Sequence, residues 1–289
     1  MSWRTVVISN RCKLDLSMGY MVVRNEETTR ILIDEIAILM IENPAVSMTG
    51  CLLSELINQK VRIVFCDEKR SPYAELQPYN GCHDCSRKIK QQMGWTEQQK
   101  LAVWTEIVSE KICNQSKILL EHEHDEEAAM LSGYITEIQF GDVSNREGHA
   151  AKVYFNALFG KNFSRGQENP INAALNYGYG LILSAFNREV TLNGYLPHIG
   201  LCHDNMFNPY NLSCDLMEPF RVLVDRIVLD MKPAEFGKCE KQQLLALLHS
   251  YVYVANANQT VLNAVKIYTR SVFDAVNGSE PGKISFIEI

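Results

Sequence analysis

Three separated segments of the sequence carry side chains that could bind a metal ion. Glu147 follows the polar stretch at 141–146, and His203 lies in a loop rather than inside a helix. Asp215 and Glu218 are three residues apart, which places them on the same face of a helix. Carboxylates and a neutral imidazole are good ligands for a divalent ion, so these side chains form a site if the fold brings them together.

The start of the helix that carries Glu147 also has a structural explanation. Ser144 and Glu147 stand at the spacing of a capping box, in which the hydroxyl and the carboxylate bond free backbone N–H groups of the first turn. A capping box does not explain Gly148, because a glycine inside a helix costs about 1 kcal/mol relative to alanine. We therefore expect another group to approach the backbone closely at Gly148.

The helix that begins near Asp215 is apolar nearly all round, as a buried helix is. Asp215, Glu218 and Asp225 share one face of it. A buried carboxylate needs a cation or a network of donors, and Arg221 and Arg226 are close enough in sequence to supply one. This helix therefore fits an ion-pair cluster as well as a metal site.

Two other groups of potential ligands have weaker patterns. Cys82 and Cys85 form a single C-x-x-C pair without a second pair at zinc-site spacing. The acidic run at 121–127 includes two histidines, but consecutive residues of a helix point in all directions and such runs usually face solvent. We predict no zinc site at the cysteines and a surface segment at the acidic run.

The elements that must position these side chains fall into two parts. Short β-branched runs fill the beginning of the chain, and apolar residues recur at helical spacing after residue 94. The stretch between them is polar and contains Pro78 and Gly81, which is typical of a linker. The predicted fold class is therefore α+β and multidomain, with a small β-rich domain at 1–74, a linker at 75–94 and a larger all-α domain at 95–289.

The individual elements are predicted as follows. Strands are expected at 5–9, 20–24, 29–33, 36–41 and 61–66, with a hairpin connection at 25–27. Helices are expected at 49–58, 101–120, 150–159, 172–186, 216–229, 244–254 and 260–276. Asn169 and Pro170 mark the cap and first residue of one helix, and Gly160 follows the end of another.

The composition is that of a folded globular protein, with 289 residues of which 46% are hydrophobic and 21% charged. No apolar run reaches the roughly 18 residues of a membrane span, and the scattered cysteines suit reduced thiols, so we expect a cytoplasmic bacterial protein. A net charge of -6 argues at first against nucleic acid. Nine acidic residues and two lysines at 106–142 give that segment -7, so the remainder, at +1, can carry basic faces.

Four motifs together resemble the CRISPR-associated integrase family that inserts new spacers. They are Asn-Arg-Glu-Gly-His-Ala-Ala-Lys-Val-Tyr-Phe at 145–155, Ala-Leu-Asn-Tyr-Gly-Tyr-Gly at 174–180, Gly-Leu-Cys-His at 200–203 and Asp-Leu-Met-Glu-Pro-Phe-Arg at 215–221. They occur in the family's order, and the resemblance covers nearly the whole chain. Within the family, the chain looks most like the type II-A branch. The resemblance implies a β-rich domain for dimerisation and DNA contact, followed by a helical catalytic domain.

The resemblance also implies roles for individual residues. Glu147, His203 and Glu218 match the family's catalytic metal ligands. Asp215 matches an auxiliary carboxylate beside the metal, and Asn145 matches the motif asparagine that supports the site. Two carboxylates and one imidazole suit Mg²⁺ or Mn²⁺, which stabilise the charge of an in-line displacement at phosphorus.

The implied activity is that of a metal-dependent DNA endonuclease and integrase of CRISPR adaptation, a form of antiviral defence. A free 3′-OH of the incoming DNA attacks a phosphodiester at the leader–repeat boundary, so the reaction is a transesterification. With water in place of the 3′-OH, the same site acts as a nuclease.

The implied partners are double-stranded DNA, as prespacer and as leader–repeat, and a second copy of the chain. A small adaptation protein bridges two such homodimers, and the type II effector and an accessory adaptation protein are further expected partners. No membrane is involved. Four basic residues in or near the motifs are the expected phosphate contacts: Arg146, Lys152, Arg165 and Arg188.

Two other functions remain open from the sequence. His203-Asp204 is a dipeptide of the kind that metal-dependent nucleotide phosphohydrolases use, although that family needs further histidines upstream. A non-catalytic helical scaffold of a DNA-binding complex would use its carboxylates only in ion pairs. For such a scaffold, metal adds no stability and Glu218→Gln is innocuous or mildly stabilising.

Overall fold

The structure is a computed structural model that describes residues 4–68, 70, 72–76 and 82–289. The chain forms two compact units, Met1–Gly81 and Cys82–Ile289. The first unit is rich in strands and the second is mainly helical, so the predicted α+β class is confirmed. The boundary between the units falls inside the predicted linker at 75–94.

The first unit contains two four-stranded sheets, one α-helix and a 3₁₀ turn at Ile33–Glu35 in its described residues. The strand orders are β1-β5-β7-β8 and β4-β3-β2-β6. The elements are β1 (Arg4–Ile8), β2 (Lys13–Ser17), β3 (Tyr20–Arg24), β4 (Thr28–Leu32), β5 (Ile36–Ile41), β6 (Ser47–Met48), α1 (Gly50–Asn58), β7 (Arg62–Cys66) and β8 (Pro72–Leu76).

The core of the first unit forms around β5. All six residues of β5 are buried, and the strand pairs in parallel with β1 and β7. A continuous apolar run is what a strand buried on both faces requires. Leu52 and Leu56 of α1 join Leu14 and Met21 in this core.

The second unit contains nine helices of more than one turn and three short strands in its described residues. They are α2 (Cys85–Met93), α3 (Glu97–Glu121), α4 (Asp125–Thr136), α5 (Arg146–Phe159), α6 (Pro170–Leu192), α7 (Asn211–Met217), α8 (Arg221–Met231), α9 (Lys238–Ala246), β9 (Tyr251–Val254), β10 (Ala257–Thr260), α10 (Val261–Gly278) and β11 (Ile287–Glu288).

Two long helices, α3 and α6, organise the second unit. Helix α3 packs against α4, α5 and α10, and α6 packs against α7, α8, α9 and α10. Buried apolar residues of α6, such as Leu175, Ile182 and Phe186, line its contacts with these neighbours. As predicted, α6 begins with Asn169 as its cap, whose side chain accepts a hydrogen bond from the backbone of Asn172 at 2.8 Å.

The predicted helix at 244–254 is wrong in its second half. Helix α9 ends at Ala246, and Tyr251–Val254 forms a strand that pairs with β10 and β11. Residues 251–254 alternate between exposed and buried, which is the period of a strand rather than of a helix. Aromatic and β-branched residues at this spacing favour the extended form.

The predicted helix at 216–229 is interrupted at Pro219. Helix α7 ends at Met217, a 3₁₀ turn spans Glu218–Phe220, and α8 follows from Arg221. Proline has no N–H to donate to the preceding turn, so the regular helix cannot continue through it. The 3₁₀ turn carries Glu218, which means that the interruption lies at a candidate ligand.

The predicted linker at 75–94 contains regular structure. Its first residues end strand β8, residues 77–81 lie outside the described residues, and α2 covers Cys85–Met93. Gln92 of α2 is buried, and its side-chain amide donates to the carbonyls of Leu196 and Ile199 at 2.9 Å each. Helix α2 therefore belongs to the second unit, although its polar sequence resembles a linker.

Helix α4 begins inside the acidic run at 121–127, and none of the residues of that run is buried, as the predicted surface segment requires. It begins at Asp125, and three acidic residues at 125–127 occupy its first turn. Negative charge is favourable there because the helix dipole is positive at its N-terminus.

Candidate active site

Helix α5 presents Glu147 without using it as a cap. The N-cap is Asn145, whose side chain accepts from the backbone N–H of Gly148 at 3.3 Å. The carboxylate of Asp142 accepts from the N–H groups of Arg146 and Glu147 at 2.8 and 3.0 Å. The capping box predicted for Ser144 and Glu147 is therefore wrong, and the carboxylate of Glu147 is left for other partners.

Gly148 is needed because Asn145 closes over it. A Cβ atom at Gly148 would lie 2.7 Å from the Asn145 Oδ1 atom, closer than such atoms approach. Asn145 itself has a left-handed backbone, with φ of 54°. The close approach expected at Gly148 is thus that of the cap, and Asn145 supports the site by holding the first turn of α5.

Asp215 holds His203 through its backbone N–H and its Nδ1 atom. The Oδ2 atom of Asp215, which is completely buried, accepts from the N–H groups of Leu201 and Cys202 at 2.6 and 3.1 Å. Its Oδ1 atom accepts from the His203 N–H at 3.1 Å and lies 2.5 Å from His203 Nδ1. This contact leaves Nε2 as the imidazole nitrogen available to a ligand, an arrangement that metal-binding histidines commonly have.

The contact with Asp215 also changes the pKa of the His203 imidazole. The hydrogen bond that His203 donates to Asp215 raises the pKa of His203 above its ordinary value, and this effect outweighs the lowering by burial. Trp104 packs against the ring edge-on, with 5.7 Å between the ring centroids. Asp215 therefore orients His203 and favours the protonated imidazole as long as no metal ion is bound at Nε2.

Glu218 is buried between two cations. Its Oε1 atom accepts from Arg221 Nε at 2.9 Å, and its Oε2 atom lies 2.5 Å from Lys111 Nζ. Burial alone would raise the pKa of Glu218, but Arg221 and Lys111 outweigh it and lower the pKa to about 2. Glu218 is therefore ionised at neutral pH.

Lys111 links the two candidate carboxylates. Its Nζ atom is 2.5 Å from Glu147 Oε1 as well as 2.5 Å from Glu218 Oε2. Burial lowers the pKa of Lys111, but Glu218 and Glu147 outweigh that effect and raise it, so the ammonium group stays charged. Sequence reasoning missed Lys111, because nothing in its local pattern on α3 relates it to either glutamate.

The three predicted ligands meet at one cavity of about 300 Å³. The cavity is lined by Lys111, Gln115, Glu147, Ala151, Phe155, Arg165, Tyr179, His203, Glu218, Arg221 and Asp225. Asp215 and Asn145 do not line it, and they act on it through His203 and through the start of α5. The fold thus brings Glu147, His203 and Glu218 together from α5, a loop and a 3₁₀ turn.

One wall of the cavity is cationic. The guanidinium groups of Arg165 and Arg221 lie 5.2 and 4.8 Å from the centre of the Tyr179 ring. Arg165 is fixed further by Asn172 and Asn176, whose side-chain oxygens accept from it at 2.5 and 2.6 Å. Two held guanidinium groups beside carboxylates suit a ligand that carries phosphate oxygens.

Asp225 is a third carboxylate at this cavity, and it is buried. It accepts hydrogen bonds from the hydroxyls of Tyr154 (3.1 Å) and Tyr179. Burial raises its pKa to about 6 despite these donors. Its position on the same face as Glu218 was visible in the sequence, and the tyrosines that partner it were not. Tyr177 and Tyr179 are both buried, and Tyr179 lines the cavity.

Of the four basic residues predicted to contact phosphate, Arg165 is the one that lines the cavity. Arg146 pairs with Glu137 at 2.9 Å, and Arg188 pairs with Glu189 at 2.5 Å. Lys152 is exposed on α5.

The donor set of the cavity fits a hard divalent ion. It offers the carboxylates of Glu147 and Glu218 and the Nε2 atom of His203. Among the described residues no three Cys, His, Asp or Glu side chains already stand as a metal-binding group. At this cavity, the ammonium group of Lys111 lies between Glu147 and Glu218.

Comparison with known proteins identifies the family. The family model described as CRISPR associated protein Cas1 matches residues 5–238. The chain is 34% identical to the CRISPR-associated endonuclease Cas1 of Neisseria meningitidis serogroup C, over all of this chain and 97% of that protein. A second Cas1 endonuclease, from Francisella tularensis subsp. novicida, is 24% identical over 88% of this chain and 87% of its own.

Solved structures show the same fold at low identity. A Cas1 protein from Thermotoga maritima has a TM-score of 0.79 at 15% identity, covering 95% of this chain and 97% of that one. A casposase bound to an integration product has a TM-score of 0.77 at 15% identity, covering 96% of this chain and 91% of that one.

The chain belongs to the Cas1 family of CRISPR-associated proteins. The predicted resemblance is thereby confirmed. In the described part of the chain, no helix is both long and apolar enough to cross a membrane.

Proposed function

We propose that this protein is a metal-dependent DNA integrase and endonuclease that joins new spacer DNA to the CRISPR array. The observation that carries the proposal is the convergence of Glu147, His203 and Glu218 on one cavity that also holds Arg165 and Arg221. The full-length relative from Neisseria meningitidis is named an endonuclease, and one structural neighbour is bound to an integration product.

The proposed reaction is a transesterification at phosphorus. The oxygen of a free DNA 3′-OH forms a new bond to the phosphorus at the leader–repeat boundary. The bond between that phosphorus and the leaving 3′-oxygen breaks, the attacking hydroxyl loses a proton and the leaving oxygen gains one. Water in place of the 3′-OH gives cleavage without joining, so one site supports both activities.

The residues of the cavity have two different roles, metal binding and phosphate binding. Glu147, Glu218 and the Nε2 atom of His203 would hold Mg²⁺ or Mn²⁺, which supplies stabilisation of the charge on the reacting phosphate. Arg165 and Arg221 bind the non-bridging oxygens of that phosphate. Contacts with neighbouring side chains hold His203, Glu218 and Arg165 in place before the reaction, which is the main requirement for electrostatic catalysis.

The proposed partners follow from the same comparison. One structural neighbour is a Cas6-RT-Cas1–Cas2 complex, with a TM-score of 0.78 at 15% identity over 98% of this chain and 36% of that one. We extend this to a homodimer of the present chain and to a small adaptation protein that bridges two dimers on double-stranded DNA. The β-rich unit serves dimerisation and DNA contact, and the helical unit serves catalysis.

Strand transfer tests the proposal directly. A labelled duplex with free 3′-OH ends is incubated with a leader–repeat plasmid, the small partner and Mn²⁺ or Mg²⁺. We expect joining that chelator abolishes and that His203→Ala reduces by at least about a hundredfold, because a metal ligand and its contact to Asp215 are lost together.

His198→Ala is the matched control, since His198 is an exposed histidine close to the same loop and does not line the cavity. It is expected to join DNA as the wild type does. Joining that survives His203→Ala, or that proceeds in chelator, contradicts the assigned site. If chelator does not change the free energy of unfolding and the assembled complex joins no DNA, these results support the non-catalytic scaffold instead.

The nucleotide phosphohydrolase alternative finds no further support, because His203 is the one histidine among the described residues that line the cavity.

A further inference from the structure

The ammonium group of Lys111 lies where a divalent ion would have to bind both glutamates. It is 2.5 Å from Glu147 Oε1 and 2.5 Å from Glu218 Oε2. Bonds from Mg²⁺ to oxygen are about 2.0–2.1 Å long, so an ion shared by these two oxygens would overlap with the ammonium group. Lys111 in this position and a bridging divalent ion therefore exclude each other.

The carboxylates are already neutralised when Lys111 is in this position. Glu218 accepts from Arg221 with its other oxygen, so each of its oxygens has a cationic partner. A divalent ion gains these carboxylates only if the ammonium group leaves them. The side chain of Lys111 is about nine-tenths buried, and a buried charge that loses its partner is very unfavourable. The displaced ammonium group needs a new partner within the same cavity.

Among the described residues, Asp225 also lines the cavity, but its two oxygens already accept from the hydroxyls of Tyr179 and Tyr154. The neutral acceptor that is still unpaired among these residues is Gln115. Gln115 lies one turn after Lys111 on α3, lines the cavity and is 97% buried, at 3% exposure. Its Oε1 atom has no hydrogen-bond partner in the described residues. An amide oxygen satisfies one N–H of an ammonium group but supplies no negative charge. A phosphate of bound DNA, held by Arg165 and Arg221, supplies that charge.

We propose that Lys111 couples metal binding to DNA binding. Without DNA, its ammonium group holds Glu147 and Glu218 and opposes the metal ion. With a phosphate in the cavity, the ammonium group binds the phosphate and Gln115, and the two carboxylates are released to the metal ion. Lys111 therefore contacts the phosphate in this scheme and also controls whether the two carboxylates are free. The inference rests on the proposed function, because it takes the ligands and the DNA substrate from it.

Mn²⁺ binding tests the coupling without any reading of activity. Free Mn²⁺ is titrated by electron paramagnetic resonance with the full chain, with and without a short duplex bearing free 3′-OH ends, and binding to the duplex alone is subtracted. We expect the duplex to tighten Mn²⁺ binding by at least about fivefold, the lower end of typical coupling between sites. Lys111→Met is expected to bind Mn²⁺ at least about fivefold more tightly than the wild type without DNA and to lose the effect of the duplex.

Two further variants separate the parts of the mechanism. Gln115→Met removes the neutral acceptor, and we expect it to weaken the effect of the duplex while Mn²⁺ binding without DNA stays as in the wild type. Lys100→Met is the matched control, because Lys100 lies on the same helix and pairs with exposed Glu97 at 2.7 Å. It is expected to leave both Mn²⁺ affinities unchanged.

Two results would overturn the inference. One is a folded Lys111→Met variant that binds Mn²⁺ no more tightly than the wild type without DNA. The other is a wild-type Mn²⁺ affinity that is the same with and without the duplex, and this comparison decides the matter even if Lys111→Met does not fold. If the wild type binds no Mn²⁺ and joins no DNA, the proposed function fails as well. Metal-dependent joining with uncoupled Mn²⁺ binding overturns the role of Lys111 alone.

Discussion

Glu218 is the most enclosed of the three proposed ligands. Its side chain is 3% exposed, compared with 24% for Glu147 and 41% for His203. The two cations on its oxygens keep it ionised, with a pKa of about 2 although burial acts in the opposite direction. Its charge therefore contributes to the stability of the fold in addition to any role in binding a metal ion.

We expect Glu218→Gln to lower the free energy of unfolding by about 3 kcal/mol at pH 7 in chelator, because it leaves Lys111 and Arg221 facing a neutral group. Folding lowers the pKa of Glu218. The stabilisation by its charge is therefore fully present above about pH 4.5 and is lost as the pH falls towards about 2. Urea unfolding at several pH values should show the difference between variant and wild type shrinking below pH 4.5.

Glu280→Gln is the control for that measurement. Glu280 pairs with Lys283 at 2.6 Å with more than half of its side chain exposed, so its replacement should change stability by no more than about 0.5 kcal/mol. A Glu218→Gln variant as stable as the wild type at pH 7, or a difference that grows on acidification, would show that the cations do not hold this carboxylate.

The proposed ligands could be selected from the sequence, and Lys111, which contacts two of them, could not. Glu147, His203 and Glu218 stand in motifs that resemble those of a family, so their types and order were enough to propose them. Lys111 lies 36 residues before Glu147 on a helix of its own. Its contact with both glutamates depends on how α3 packs against α5 and the 3₁₀ turn, and no local spacing encodes that packing.

At the scale of elements, the first turn of α5 depends on a single small residue. The Asn145 cap closes over Gly148 so tightly that a Cβ atom would lie 2.7 Å from its Oδ1 atom. The same turn carries Glu147. Any change that opens the cap therefore also changes the direction in which this carboxylate points.

Gly148→Ala should lower the free energy of unfolding by about 1 kcal/mol, because loss of the cap outweighs the better helix propensity of alanine. Gly133→Ala is the matched control on α4, where nothing lies within 4 Å of the added atom. It should raise stability by about 0.5–1 kcal/mol. Thermal or urea unfolding of both variants provides the test, and a stabilised Gly148→Ala would show that the cap does not constrain this position.

Elements with strong periodicity were predicted, and elements defined by their neighbours were not. The strands at 20–24 and 36–41 were predicted with their observed bounds, since each is a β-branched or aromatic run with clear ends. Helix α2 and the strand at 251–254 were missed. Helix α2 depends on the contacts of Gln92 with a distant loop, and the strand depends on pairing with two others.

At the scale of the whole molecule, net charge is a poor guide to function. The chain carries -6, yet Lys111, Arg165 and Arg221 line its cavity. Acidic residues concentrate at 106–142, and several of them begin helix α4 instead of facing the cavity. A protein that binds phosphate needs positive charge at the contact and not over its whole surface.

All residues that line the cavity, and the side chains that hold them, belong to the unit Cys82–Ile289. This unit has its own core and includes α2, so a fragment beginning at Cys82 should fold with one cooperative transition and bind Mn²⁺ without DNA within about twofold of the full chain. Strand transfer by the fragment should fall sharply, because we assign dimerisation and DNA contact to the first unit. Circular dichroism, Mn²⁺ titration and the joining assay measure the three properties separately. A folded fragment with altered Mn²⁺ affinity would show that the first unit contributes to the metal site. A fragment that joins DNA as well as the full chain does would show that the first unit is not needed to position the DNA.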